Sequence, residues 1–235
     1  MRNKLEHELW RLLTTLGLIL ALLMGYSMSA CAQNAASILD KAAALYAQSN
    51  GVKATFTMKE SASGGSEVEG TIDMKDDKFR LETPGMIVWF DGKPQWSYVE
   101  RNEEVNVTTP TAEELPFTNP ALLLRTYKKG FSALYQGEST APNGKMAYDI
   151  ELTPKKKSDV EKVSLQIEKN SSLPSRMVVT AKNGGRTIVQ VKRLATNQNQ
   201  PEGYFEFHEA DYPEAEVVDL RCSQPAKDGL LIFNF

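Results

Sequence analysis

The chain has 235 residues, 24% of them charged, with 27 basic against 30 acidic side chains and a formal net charge of −3. That balance leaves no basic footprint for nucleic acid. Two histidines and two cysteines give no His/Cys set at metal-ligand spacing, so neither a metal site nor a cofactor is expected.

The apolar run from Leu12 to Met24 follows Arg2, Lys4 and Arg11 and gives way to small residues. This is the pattern of a secretory signal, assigned to residues 1–32, and it falls short of the ~20 residues of a membrane span. Export would place the chain in an oxidising compartment. Two processing readings stay open. Ala30-Cys31-Ala32 is an ordinary small-x-small cut that discards Cys31, whereas Met28-Ser29-Ala30-Cys31 fits the last three positions of a lipobox and would leave Cys31 lipidated. After the first kind of cut Cys222 stands alone, and no intramolecular disulfide can form.

The segment 33–221 is expected to be one β-rich domain. A helix is expected from Ser37, an N-cap with Asp40 three residues on, through an apolar stripe of Ile38, Leu39, Ala42, Leu45 and Tyr46 to the stop at Ser49-Asn50-Gly51. Period-two patterning then takes over. It runs through Ala54/Phe56/Met58, Val68/Gly70/Ile72/Met74, Phe79/Leu81, Met86/Val88/Phe90, Trp96/Tyr98 and Val105/Val107. After a short turn at Thr111–Leu115, TNPALLLRTYKKGF reads as a second helix. Asn119 caps it, Pro120 takes the first position, Lys128 and Lys129 suit its negative end, and Gly130 closes it. Alternation resumes at Tyr148/Ile150/Leu152, Val163/Leu165/Ile167, Met177/Val179, Val189/Val191 and Phe205/Phe207. Gly64-Gly65, Asp76-Asp77, Asp91-Gly92, Asn143-Gly144 and Asn183-Gly184-Gly185 supply the turns. The sum is about ten strands in meander order. One antiparallel sheet of that size curls, so the expected form is an incomplete barrel with short helices over its mouth. The segment 222–235 reads as a tail of different character.

Catalytic signals are missing. His208 stands alone beside Glu206 and Glu209, and no Gly-x-Ser-x-Gly elbow or phosphate loop occurs. Glu103-Glu104 and Lys155-Lys156-Lys157 read as solvated loop charges, and Glu113-Glu114 as a helix start. An enzyme is not expected. The strand faces are instead rich in methionine and aromatic rings, among them Met58, Met74, Met86, Met146, Met177, Phe56, Phe79, Phe90, Trp89 and Trp96. Each of these taken singly fits a packed core. Methionine, however, adapts to varied apolar partners, and the interior of a one-sheet barrel can hold an apolar ligand. The residues expected to line it are Phe56, Met58, Ile72, Met74, Phe79, Met86, Val88, Phe90, Trp96, Tyr98 and Ile150.

Four stretches in order, FDGKPQWSY, TNPALLL, YDIELTPK and FEFHEADYPEAEVVDLR, resemble the periplasmic outer-membrane lipoprotein carrier family, LolA. The resemblance implies a half-barrel closed by lid helices carrying Leu39, Leu45, Leu122 and Leu123. It implies a monomeric carrier of acylated lipoproteins, loaded by an inner-membrane ABC-type releasing complex and unloaded at the outer membrane or an acceptor there. An anchored acceptor or a lipid-sensing module of the same fold is the alternative. A carrier must leave the membrane it loads from, which favours removal of Cys31. The family holds its lid with an Arg after the second strand; here Asp76-Asp77 stands in that place, and Lys75 or Arg80 is the expected substitute.

Overall fold

The structure, a computed structural model, describes residues 34–61, 66–112 and 114–221. The leader with Cys31 and the tail with Cys222 lie outside them. Helix α1 covers residues 34–48, so Ser37 sits inside it instead of capping it; the helix stops as expected at Gly51, which adopts φ +86°. Six strands follow: β1 Val52–Glu60, β2 Val68–Lys75, β3 Lys78–Thr83, β4 Met86–Phe90, β5 Gln95–Val99 and β6 Glu104–Thr108. Helices α2 Leu115–Thr118 and α3 Pro120–Gly130 lead into β7 Phe131–Thr140, β8 Met146–Pro154, β9 Val160–Glu168, β10 Pro174–Ala181 and β11 Arg186–Thr196. A last strand, β12, covers Glu216–Asp219.

All twelve strands form one sheet in the order β12-β6-β5-β4-β3-β2-β1-β11-β10-β9-β8-β7. The meander runs within two blocks, β1–β6 and β7–β11, and antiparallel pairing of β1 with β11 joins them. β12 alone pairs in parallel, with β6. One of these strands, β7, was not expected from the sequence, whereas β12 is the short Val-rich strand that the resemblance of the closing segment implies. In β7 the alternation breaks at a bulge between Tyr135 and Gly137. β12 is only four residues long. Conversely, Phe205 lies in a turn and Phe207 in irregular chain, not in a strand, although they alternate.

Register defines two faces, because residues directly opposite in an antiparallel pair point the same way. One row runs Met58, Val189, Met177, Leu165, Ile150 and Tyr135 across β1, β11, β10, β9, β8 and β7. Another on the same face runs Ala54, Ile72, Leu81 and Val88. Leu81 of β3 and Leu165 of β9 line one cavity. In a flat sheet five strand spacings would separate them by roughly 24 Å, so the sheet curls around that face. On the inner face, Leu39, Leu123, Leu124 and Tyr127 of α1 and α3 pack with Ile150, Leu152, Val163 and Leu165. A second cluster of Phe56, Met58, Ile72, Met74, Phe79, Leu81, Val88 and Phe90 lies on β1–β4.

Candidate functional site: an apolar cavity beneath two helices

The cavity has a volume of about 60 Å³. Its walls are Ala54, Phe56 and Met58 of β1, Ile72 and Met74 of β2, Leu81 of β3, and Val189, Val191 and Leu194 of β11. Leu165, Pro174 and Met177 continue the wall, and Tyr46, Phe117, Pro120, Leu123 and Leu124 close it from the helices. Arg176 is the one charged residue among its lining. Ligand pockets run to about 300–1,000 Å³. The space here is far smaller because the helices fill it themselves.

Phe56, Met58, Ile72 and Met74 line the cavity. Phe79, Val88 and Phe90 extend the same apolar surface, with Met86 packed against it; Phe79 and Phe90 stack at 5.5 Å. Ile150 is buried under α1 and α3 in the other cluster. Of the expected helix residues, Leu123 lines the cavity, Leu39 is fully buried, Leu45 is half-buried, and Leu122 is buried but is not part of the lining. Trp96 and Tyr98 are placed differently from the expectation. Trp96 pairs with Trp89 and Tyr98 with Ile87, which puts both on the outer face. Leu124, Phe117 and Tyr46 line the cavity without having been expected to; of the three only Tyr46 stood in an apolar helical stripe in the sequence.

Polar ties hold the helices down. Asn119 caps α3, its Oδ1 accepting from Leu122 N at 3.1 Å. Its Nδ2 is fully buried and has no partner among the described residues. The Tyr127 hydroxyl of α3 donates to Asp40 Oδ1 at 3.0 Å, and Lys128 Nζ meets Asp40 Oδ2 at 2.7 Å, so α3 is bound to α1. Burial first, and Asp40 second, push the Tyr127 hydroxyl above the ordinary tyrosine range; burial alone does the same to Tyr46. The tie to the sheet reverses the expected charges. Asp77 in the β2–β3 turn pairs with Arg125 of α3, so the turn supplies the acid and the helix the base. Lys75 lies in a groove shared with Asp76, Ala121 and Arg125. Arg80 is on the outer face, where it pairs with Glu82 at 2.8 Å and lies over the rings of Trp89 and Tyr204.

The outer face is apolar across β4–β6, and a strap of chain, residues 204–215, covers that part. Phe207 stacks on Trp96 at 4.9 Å and meets Trp89 edge-on at 5.5 Å; Tyr212 contacts Trp89, Tyr98 and Phe207. The Tyr204 hydroxyl donates to Asp73 Oδ2 at 3.0 Å, which pins the strap to β2.

A curled, open sheet with helices seated on an apolar hollow is the half-barrel form that the resemblance implies. The chain belongs to the family described as outer membrane lipoprotein carrier protein LolA, whose profile matches residues 26–184. Proteins of this family are carriers or binding proteins of the periplasm or cell envelope. No curated protein matches the chain. Among solved structures, an uncharacterized conserved protein from Thermus thermophilus shares the fold. It is 18% identical, with a TM-score of 0.54 over 78% of this chain and 97% of its own. A DUF1329 family protein from Desulfovibrio piger is 14% identical, with a TM-score of 0.49 over 77% and 98%. A putative outer membrane lipoprotein-sorting protein domain from Vibrio parahaemolyticus is 12% identical, with a TM-score of 0.45 over 74% and 97%.

Proposed function

We propose that the protein is a periplasmic carrier that takes the acyl chains of lipoproteins into the hollow beneath α1 and α3. It receives them from an inner-membrane ABC-type releasing complex and delivers them to the outer membrane or an acceptor there. The observation that supports this reading is the cavity itself. Its wall is almost wholly apolar, includes three adaptable methionines, and is closed on one side by helix residues. Each buried methylene is worth about 0.8 kcal/mol, so an acyl chain has a strong drive into such a space once the helices withdraw. The same helices set the opposing term. Their leucines occupy the hollow when it is empty, so the net affinity is a difference between ligand and lid contacts. The unpaired Nδ2 of Asn119 adds about 1–3 kcal/mol of cost to the closed state, a cost relieved if opening exposes it to water.

A fluorescent acyl probe tests the reading. The purified protein takes up the probe, and Phe56→Glu or Val88→Glu abolishes uptake while unfolding stays cooperative. Unchanged uptake in both variants would sink the proposal. The anchored-acceptor reading rests on Cys31 and is separated by the intact mass of the exported protein. A mature species beginning at acylated Cys31 identifies an anchored acceptor, and an unmodified species beginning after Ala32 identifies a free carrier.

A further inference from the structure

A recess lies on the outer face of β8–β10, with a volume of about 290 Å³. Its polar walls are Arg176 of β10, Gln166 and Ser164 of β9, Asp149 and Glu151 of β8, and Gln136 of β7. Register accounts for the grouping. Arg176 stands opposite Gln166, and Gln166 opposite Asp149, while Met177, Leu165 and Ile150, one position along, belong to the inner-face cluster. The bulge between Tyr135 and Gly137 inserts Gln136 beside them. The recess is thus the polar reverse side of a wall whose other side is apolar.

Two of its polar groups are left over. Arg176, which also borders the hollow, is half-buried and makes no hydrogen bond or ion pair with any described residue. The Oε1 of Gln166 is fully buried and lacks a partner among the described residues. Its orientation is fixed by a chain of bonds: Ser139 Oγ donates its one proton to Asp149 Oδ1 at 2.9 Å, so it accepts from Gln166 Nε2 at 2.8 Å and the amide oxygen is turned away. Asp149 forms no ion pair among the described residues, whereas Glu151, the other carboxylate in the walls, is matched by Lys162 at 2.7 Å. Buried polar atoms in native proteins are nearly always paired, and the planar fork of a guanidinium matches a carboxylate.

Across three neighbouring strands, spaced about 4.8 Å apart, the recess offers a carboxylate, an unmet acceptor and an unmet guanidinium, in that order. An extended dipeptide carries an ammonium, a peptide N–H and a carboxylate in the same order over about 7 Å. We infer that the recess is a binding site for a short zwitterionic peptide, of about two or three residues. The peptide's carboxylate takes the fork of Arg176, its N–H meets Gln166 Oε1, and its ammonium faces Asp149. With Lys162 counted, the acids and bases of the recess balance, which favours a zwitterion over a simple anion. No aromatic side chain lines it to stack on a sugar ring. The site is on the opposite face from the hollow and does not require that acyl chains bind there.

Isothermal titration calorimetry with alanyl-alanine tests this. Saturable binding is expected, and it should be at least about tenfold weaker for N-acetyl-alanyl-alanine, which lacks the ammonium, and for alanyl-alaninamide, which lacks the carboxylate. Arg176→Gln should weaken the parent dipeptide by a similar factor, and Gln166→Leu by about fivefold. Arg176→Lys should recover only part of the loss, because an ammonium cannot copy the fork. Asp149→Asn should cost about tenfold in dipeptide affinity while cooperative unfolding and acyl-probe uptake stay as in the wild type. Absence of saturable binding to the folded wild-type protein overturns the inference. Equal binding of the blocked peptides, or binding that survives Arg176→Gln, also overturns it, because the recess then does not read the two ends. Phosphoethanolamine binding as tight as that of the dipeptide overturns it too, since that zwitterion carries no N–H for Gln166. Dipeptide binding without acyl-probe uptake would strike the carrier reading and leave this one intact.

Discussion

The inner face of the sheet and the β4–β6 part of its outer face are both apolar, yet they are covered by different means. On the inner face, α1 and α3 lay leucines over methionine and aliphatic side chains, and polar pairs around Asp40 and Asp77 fasten them. On the outer face, the strap sets Phe207 and Tyr212 against Trp89, Trp96 and Tyr98 in stacked and edge-on contacts. Ring contacts hold preferred geometries, whereas methionine packs against many shapes. The two covers thus differ in side-chain type more than in apolarity.

Trp89→Ala tests that contrast most severely. Trp89 is 5% exposed and touches Phe207 and Tyr212, so truncation should cost about 3–5 kcal/mol in chemical unfolding, with probe uptake retained by the folded fraction. A loss of the size seen for surface substitutions would erase the distinction. Leu123→Ala, on the lid side, should cost about 2–5 kcal/mol but also enlarge the cavity, so uptake rises as stability falls. Tyr127→Phe removes the hydroxyl that joins α3 to α1, for about 1 kcal/mol. Because the folded protein holds that hydroxyl protonated above its ordinary value, its contribution is complete below about pH 10 and is lost as pH rises further. Uptake by the wild type should therefore quicken in alkali, and Tyr127→Phe should lack that increment. Asp77→Ala has the smallest effect on stability, below about 1 kcal/mol for an exposed pair, and appears as faster uptake matched by Arg125→Ala.

The alternating strands, the Asn119-Pro120 helix start and the open curled sheet were legible in the sequence because each rests on local periodicity or capping. The face of β5 was not. All five of its residues are half-buried, so Trp96 and Tyr98 carry no contrast between inside and outside, and only pairing with β4 assigns them. β7 was hidden by Ser, Ala and Gly, which mark alternation weakly, and by its bulge. The tie at Asp77 escaped for another reason. The expected cations, Lys75 and Arg80, belong to the same hairpin, but the one that pairs with Asp77 arrives from α3, far along the chain. Complementary charge is a property of the folded neighbourhood and leaves no mark on a single segment.

The pairings of β1 with β11 and of β6 with β12 have a consequence for assembly. Both bring strands from the first half of the described chain against strands from its last part. Such long-range contacts must be closed before they return any stability, which makes folding slow. As the chain emerges from its N-terminal side, β1 has only β2 beside it until β11 arrives, and Trp89 and Trp96 lie bare until the strap follows. The half-barrel therefore stays unfinished until its end is available, and a cut anywhere before Arg186 would leave β1 as an open edge.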